Sequence, residues 1–287
     1  SKGTILGYRN FVWCIKNIGI RSSYFVLYFV ATYYFIFEKK SNQYISYYFK
    51  NRLNFSALKT KLSVFRSYFV FGKVLIDKTA ISVGLRNRFT YEFDGIENIK
   101  NLLAEKKGGV LISAHIGNFE IAEHFFADID FDARINLVTT DQEVTAIREY
   151  MEGISVKKSN IKFIFVKDDM SHIFQINEAL SNNELICFTG DRYFEGSKFL
   201  EADLLGKTAK FPAGPFLIAS RLRVPVVYVY VMKEKNLHYH LYARVAQNIK
   251  NRDSQGLLNS YVQNLESMLK KYPLQWFNYF DFWDDID

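Results

Sequence analysis

The chain has 287 residues, of which 49% are apolar and 23% charged, ordinary proportions for a globular protein with one large core or two modest ones. Two cysteines exclude a disulfide framework and a cysteine-based metal quartet. The net charge of +7 points to an anionic membrane surface or an acidic protein as partner, and because Lys and Arg form no run longer than a pair, it argues against nucleic acid.

Residues 22–37, SSYFVLYFVATYYFIF, carry no charge between Arg21 and Glu38. The run falls a few residues short of the roughly 20 that span a bilayer. Its tyrosines suit the headgroup region, where a ring is buried and its hydroxyl stays wet. No small-residue cleavage site follows, so a signal peptide is not expected. Three readings stay open: a short or tilted anchor, a helix lying in the interface, and a buried core helix. Residues 41–77 mix aromatics and cations at helical spacing, which suits either anionic lipid or an amphipathic pair packed on the protein. Cys14 and Cys187 both lie in apolar stretches and read as buried, reduced thiols, in keeping with a cytosolic setting.

After Ile81 the texture changes. RFTYEFDG alternates like a strand, and IENIKNLLAEKKGG has helical spacing that stops at paired glycines. VLISAH is an apolar run of strand length, and NFEIAEHFFADI reads as a helix with Asn118 as its N-cap. RINLVTT, IKFIFV and ELICFTGD read as strands, separated by helices over 142–153 and 170–183; a long loop follows the last. PAGPFLIASRLR opens with proline as a helix start and leads into VPVVYVYVMK. NLHYHLYARV adds a strand, and the helix of residues 254–273 closes the domain. Continuous apolar strands alternating with helices predict an α/β fold with a mostly parallel central sheet flanked by helices. The division expected is a helical, membrane-associating segment over 1–80 and an α/β domain over 81–287.

In such sheets ligands bind beyond the carboxyl ends of the strands, which is where His115 and Asp191-Arg192 fall. On one continuous helix, the five-residue step from His115 to Glu120 would turn the side chains about 140° apart. They meet only if His115 precedes the helix and the chain turns at Gly117, which tolerates positive φ. Glu120 then falls in the first helical turn, where the dipole favours an acid. A histidine oriented by a carboxylate is a general base. Ser113 shares the strand face but sits deeper, so a direct attack by an acceptor hydroxyl or amine on a bound acyl donor is the simpler chemistry. The spacing alone is equally compatible with an ordinary buried hydrogen bond. His238 and His240 share a strand face without a third ligand, His124 and His172 read as helix-face residues, and no phosphate-binding glycine loop is present.

SAHIGNFE resembles the His-x4-Asp/Glu motif of the lysophospholipid acyltransferase superfamily. More specifically it resembles the lipid A biosynthesis lauroyl/myristoyl acyltransferases, with Phe119 in place of a tryptophan. Three further stretches follow in the family's order: TGDRYFEG with Gly190, Asp191 and Arg192; LLGKTAKFPAGPFLIASRLRVPVVYVYV; and YPLQWFNYFDFW. The match runs from about Gly109 onward. Leu274 stands where glutamate is usual, Asp281 and Phe282 where basic residues are usual, and Tyr228 where a second proline is frequent.

The resemblance implies a membrane-associated acyltransferase. It would move a fatty acyl chain from acyl carrier protein, or acyl-CoA, to a hydroxyl of a lipid A-type or other glycolipid acceptor, with no metal and no cofactor beyond the thioester. It implies His115 as the base and Glu120 as its orienting partner. Asp191 and Arg192 would meet substrate, Arg192 as a phosphate or pantetheine clamp; a salt bridge of Arg192 to Asp191 or Glu195 is the alternative. Asn118 is a helix cap or a substrate contact. Phe211, Pro212 and Gly214 would shape the site wall, and Lys207 and Lys210 would meet phosphate or the acidic carrier, or else lie on a solvated loop. The implied location is the cytoplasmic face of a bacterial inner membrane, with anionic lipid, lipid acceptor and acyl carrier protein as partners. An aminolipid or pigment acceptor, and a non-catalytic lipid-binding protein of the same fold, remain as alternatives.

Overall fold

A computed structural model describes residues 5–126, 133–139, 153, 155–156, 161–167, 169–247 and 249–284. The helix expected over 142–153 lies outside the described residues apart from Gly153.

Four helices come first: α1 (Ile5–Asn17), α2 (Ile20–Phe37), α3 (Lys39–Tyr47), continued by a π-helical turn at Tyr48–Arg52, and α4 (Ala57–Ala80). The Ser56 hydroxyl caps α4 by accepting from the Lys59 amide. The α/β part runs β1 (Thr90–Asp94), α5 (Ile96–Ala104), β2 (Gly109–Ser113), α6 (Ala122–Phe126), β3 (Ile135–Thr139), β4 (Ile161–Phe165), α7 (Ser171–Ser181), β5 (Leu185–Thr189), β6 (Phe199–Leu204), β7 (Lys207–Pro212), α8 (Ala213–Arg221), β8 (Val226–Lys233), β9 (His238–Val245) and α9 (Ser254–Lys271).

Seven strands form one sheet in the order β1-β9-β8-β2-β5-β3-β4, parallel at every described pairing except β8 with β9. The predicted mostly parallel, helix-flanked sheet is therefore the fold. One stretch departs from expectation. The long loop after β5 contains a hairpin, β6 paired antiparallel with β7, with Leu204 opposite Lys207 across the turn. Its alternating exposure, one residue in and one out along β6, is that of a two-stranded ribbon with one covered face.

Side chains alternate across the sheet, so each face builds its own core. Val110 and Ile112 of β2 point to one side, with Ile176 of α7, Phe216 of α8 and Leu257 of α9. Leu111 points to the other, with Ile99 and Leu102 of α5 and Phe125 of α6. Each such fully buried side chain contributes about 1.5–3 kcal/mol. Helix α4 serves both cores, Val64 and Tyr68 joining the first and Ile76 and Ala80 the second. It thereby runs alongside the strand ends where a ligand site is expected. Its Asp77 is fully buried and pairs with Lys233 Nζ at the end of β8 (2.5 Å) and the Tyr239 hydroxyl (2.6 Å).

Candidate active site

Strands β2 and β5 are neighbours in parallel register, with Ser113 opposite Thr189. Two residues past each strand end, the chain has therefore brought His115 and Asp191 side by side. The Asp191 carboxylate accepts from the His115 backbone N–H through both oxygens (3.0 Å each) and meets the ring Nδ1 at 2.7 Å. An ionised carboxylate only accepts, so Nδ1 carries a proton, and in the neutral ring the lone pair lies on Nε2. Asp191 also receives the Trp276 indole N–H (3.0 Å) and the Asn278 amide (3.5 Å), and it is fully buried. Burial works to raise its pKa, but the charge of His115 and the hydrogen bonds from His115 and Trp276 outweigh it and hold the carboxyl below its ordinary value. The His115 ring remains 29% exposed.

The turn after His115 is clamped from two sides. Gly117 has φ of 62°, and a Cβ there would lie 2.1 Å from the Val231 carbonyl oxygen, so only glycine fits. The Gly117 amide donates to Gln275 O (2.9 Å) and the Asn118 amide to Val231 O (2.7 Å). The Phe277 amide donates to His115 O (2.8 Å). Gln275 also bonds both ways with the Lys233 backbone, at 2.9 and 2.8 Å. The turn is thus held between the end of β8 and residues 273–279. Behind the strand ends, Ser113 O receives the Gly190 amide and the buried Tyr261 hydroxyl.

The structure revises two expectations here. Glu120 does not orient His115; the carboxylate on Nδ1 is Asp191, while Glu120 ion-pairs with Lys78 of α4, both half-exposed. The left-handed Gly117 leads into a short 3-10 turn, Phe119–Ile121, and Glu120 within it reaches α4. Asn118 makes no side-chain cap; its amide reaches across to Val74 O (3.1 Å), joining the turn to α4.

Arg192 follows Asp191, half-buried, with its guanidinium 5.6 Å from the Phe280 ring centre. Its Nε has no hydrogen-bond partner and it makes no ion pair among the described residues, so neither Asp191 nor Glu195 neutralises it. The hairpin residues stand apart from His115. Phe211 is fully buried and packs on Phe282, which packs on Trp276, the donor to Asp191, so it supports the site through two rings rather than lining it. Gly214 is exposed with open space around it, and Pro212 leads into α8. Lys210 pairs with Asp284 (2.8 Å), which raises its pKa, and Lys207 is half-exposed at the hairpin turn. Beneath the turn after His115 a small apolar cavity of about 30 Å³ is lined by Leu111, Phe119, Ala122, Cys187 and Val231. Burial pushes the Cys187 thiol up to about 12, an inert sulfur.

Sequence reasoning missed Trp276, Asn278, Gln275 and Lys78. YPLQW is visible as a motif, but nothing local says that its tryptophan bonds an aspartate after β5. No cluster of three metal-ligating side chains occurs among the described residues.

A basic imidazole held by a buried carboxylate suits proton abstraction, and Arg192, next in sequence to that carboxylate, makes no ion pair among the described residues and suits an anionic substrate. The family model for bacterial lipid A biosynthesis acyltransferases matches residues 70–283. The chain belongs to that family. No curated protein matches it. As a lipid A-type acyltransferase it transfers acyl groups other than aminoacyl groups. The matched span includes the second half of α4, so the family's domain takes in the helix that carries Val74, Asp77 and Lys78.

Proposed function

We propose that His115 is the general base of acyl transfer from an acyl thioester, carried by acyl carrier protein or CoA, to a hydroxyl of a lipid A-type or other glycolipid acceptor. The observation that carries this reading is the 2.7 Å contact of His115 Nδ1 with fully buried Asp191. Nε2 takes the acceptor hydroxyl proton as the oxygen attacks the thioester carbonyl. The carbon–oxygen bond forms, the carbon–sulfur bond breaks, and the departing thiolate recovers the proton from the imidazolium. Asp191 fixes the tautomer of the neutral ring and stabilises the imidazolium that forms, without being protonated itself. Arg192 clamps a phosphate of donor or acceptor, and its unpartnered Nε supports this role. The Lys78–Glu120 ion pair joins α4 to the turn after His115, and Lys207 and Lys210 of the hairpin meet the acidic carrier. The reaction runs at the cytoplasmic face of a bacterial inner membrane, where thioester donors are made.

An aminolipid or pigment acceptor is the second reading. It is favoured by Phe282, which is 7% exposed in the aromatic shell where the lipid A branch carries a basic residue. The test compares, by mass spectrometry, lipids of cells making wild type and His115→Ala at equal protein levels. Loss of one acyl increment from a lipid is expected, and its headgroup names the acceptor. An unchanged profile with folded protein would sink the base mechanism and leave a non-catalytic lipid-binding protein.

A further inference from the structure

The two parts of the chain carry opposite charge. Residues 1–80 hold 13 Lys and Arg against 2 Asp and Glu, while residues 81–287 hold 24 against 28. The basic excess therefore resides in the helical layer α1–α4. That layer also carries exposed apolar surface. Phe25, Phe29, Tyr33 and Phe37 recur every fourth residue along α2, each 57–69% exposed. Leu58 and Leu62 continue the surface on α4 at 71% and 51%. Exposed Arg21 precedes the α2 stripe, Lys39 and Lys40 follow it, and Lys59 and Lys61 interleave with the leucines. An apolar stripe rimmed by cations matches the chemistry of an anionic bilayer surface: acyl chains beneath, negative headgroups around.

By length and composition α2 could cross a membrane. Its surroundings argue otherwise. At its start, Val12 and Ile15 of α1 and Ile20 and Leu27 of α2 join the core that holds Leu111 and Ile121, and the Tyr24 hydroxyl bonds buried Asp77. Just beyond its end, Ile45, Tyr48 and Phe49 join the other core, where Tyr48 packs 5.0 Å from Trp276. Between these anchors α2 runs antiparallel to α4. Tyr28 meets Phe65 and Phe69, and a Cβ on Gly72 would lie 2.2 Å from Leu27. A crossing helix of this length would set its ends about 27 Å apart on opposite membrane faces. The segments flanking it could not then both enter the cores of one folded domain.

We infer that α2 lies in the plane of an anionic membrane, docked through its aromatic stripe together with Leu58 and Leu62, and does not cross it. The inference rests on the reading that the acceptor is a membrane lipid, and it adds how the enzyme meets that membrane.

Sided labelling of the full chain in cell membranes tests it. In a Cys14→Ser background, where the remaining Cys187 is buried, Ser22→Cys and Lys40→Cys mark the two ends of α2. A membrane-impermeant maleimide is applied to intact spheroplasts and to inverted vesicles. Both positions are expected to react only in inverted vesicles. One end reacting from each side overturns the inference and leaves acyl transfer standing. Purified protein is then bound to phosphatidylethanolamine vesicles with and without phosphatidylglycerol. The anionic lipid is expected to tighten binding roughly tenfold or more. The triple change Phe25→Ser, Phe29→Ser, Phe37→Ser is expected to weaken binding by a similar factor while sparing acyl transfer to detergent-dispersed acceptor. Undiminished binding of that variant, or no binding of the wild type, overturns the docking surface. Activity on dispersed acceptor reports separately whether the proposed reaction fails with it.

Discussion

Two carboxylates near His115 have opposite surroundings. Asp191 follows a buried strand, is fully enclosed, and receives the ring, backbone, Trp276 and Asn278. Glu120 lies five residues from the histidine in sequence, yet its side chain is 44% exposed and answers to Lys78. A carboxylate orients a histidine when it is buried beside the ring and held there by further donors, and strand register, rather than sequence distance, set that position here.

The contrast is broken or sharpened by substitution. The largest effect expected is on Asp191→Asn, which keeps the shape but upsets the tautomer; kcat should fall by roughly 10³–10⁴. A loss greater for Glu120→Gln than for Asp191→Asn would reverse the assignment. Gly117→Ala ranks second. With a Cβ 2.1 Å from Val231 O at positive φ, it should destabilise the fold by about 3 kcal/mol, seen as a lower denaturation midpoint. Trp276→Phe keeps an aromatic ring but removes the indole N–H that donates to a buried charge, and should cost at least about 1.5–3 kcal/mol of stability. Glu120→Gln is expected to change kcat by less than about tenfold, because a half-exposed ion pair contributes only about 0–1 kcal/mol.

Acid titration tests Asp191 by another route. The folded pKa of Asp191 lies below its unfolded value. Its contribution to stability is therefore present above the ordinary carboxylate pKa of about 3.9 and is lost as pH falls through the folded value. The stability difference between wild type and Asp191→Asn should shrink as pH falls below that range. A difference that kept growing below it would contradict the paired, ionised carboxylate.

The sheet was legible because β2, β5 and β8 are unbroken apolar runs set between helical periods, a pattern that forces burial on both faces. The β6–β7 hairpin was not: only four of the fourteen residues from Phe199 to Pro212 are buried, and its Leu205-Gly206 turn lacks the usual Asn-Gly signal. His115 and the sharp turn at Gly117 were readable from local chemistry. The partner of His115 was not, since it depends on Ser113 standing opposite Thr189, a register fixed by packing across the whole sheet. Asn118 misled for a related reason. A side chain suited to a cap was taken up by the Val74 carbonyl of α4, which no neighbouring residue announces.

The clamp of residues 273–279 on the turn after His115 also has a consequence in time. His115 leaves the ribosome first; at roughly 5–20 residues per second, Gln275, Trp276 and Phe277 follow after about ten to thirty seconds. Until they arrive, the Gly117 amide and the His115 carbonyl lack their bonds, and Asp191 lacks the indole donor. A nascent or prematurely terminated chain therefore carries the histidine without its frame, and such a chain is expected to be silent toward thioesters. The frame around His115 is then complete only once residues 273–279 have been made, a built-in check on the integrity of the matched domain.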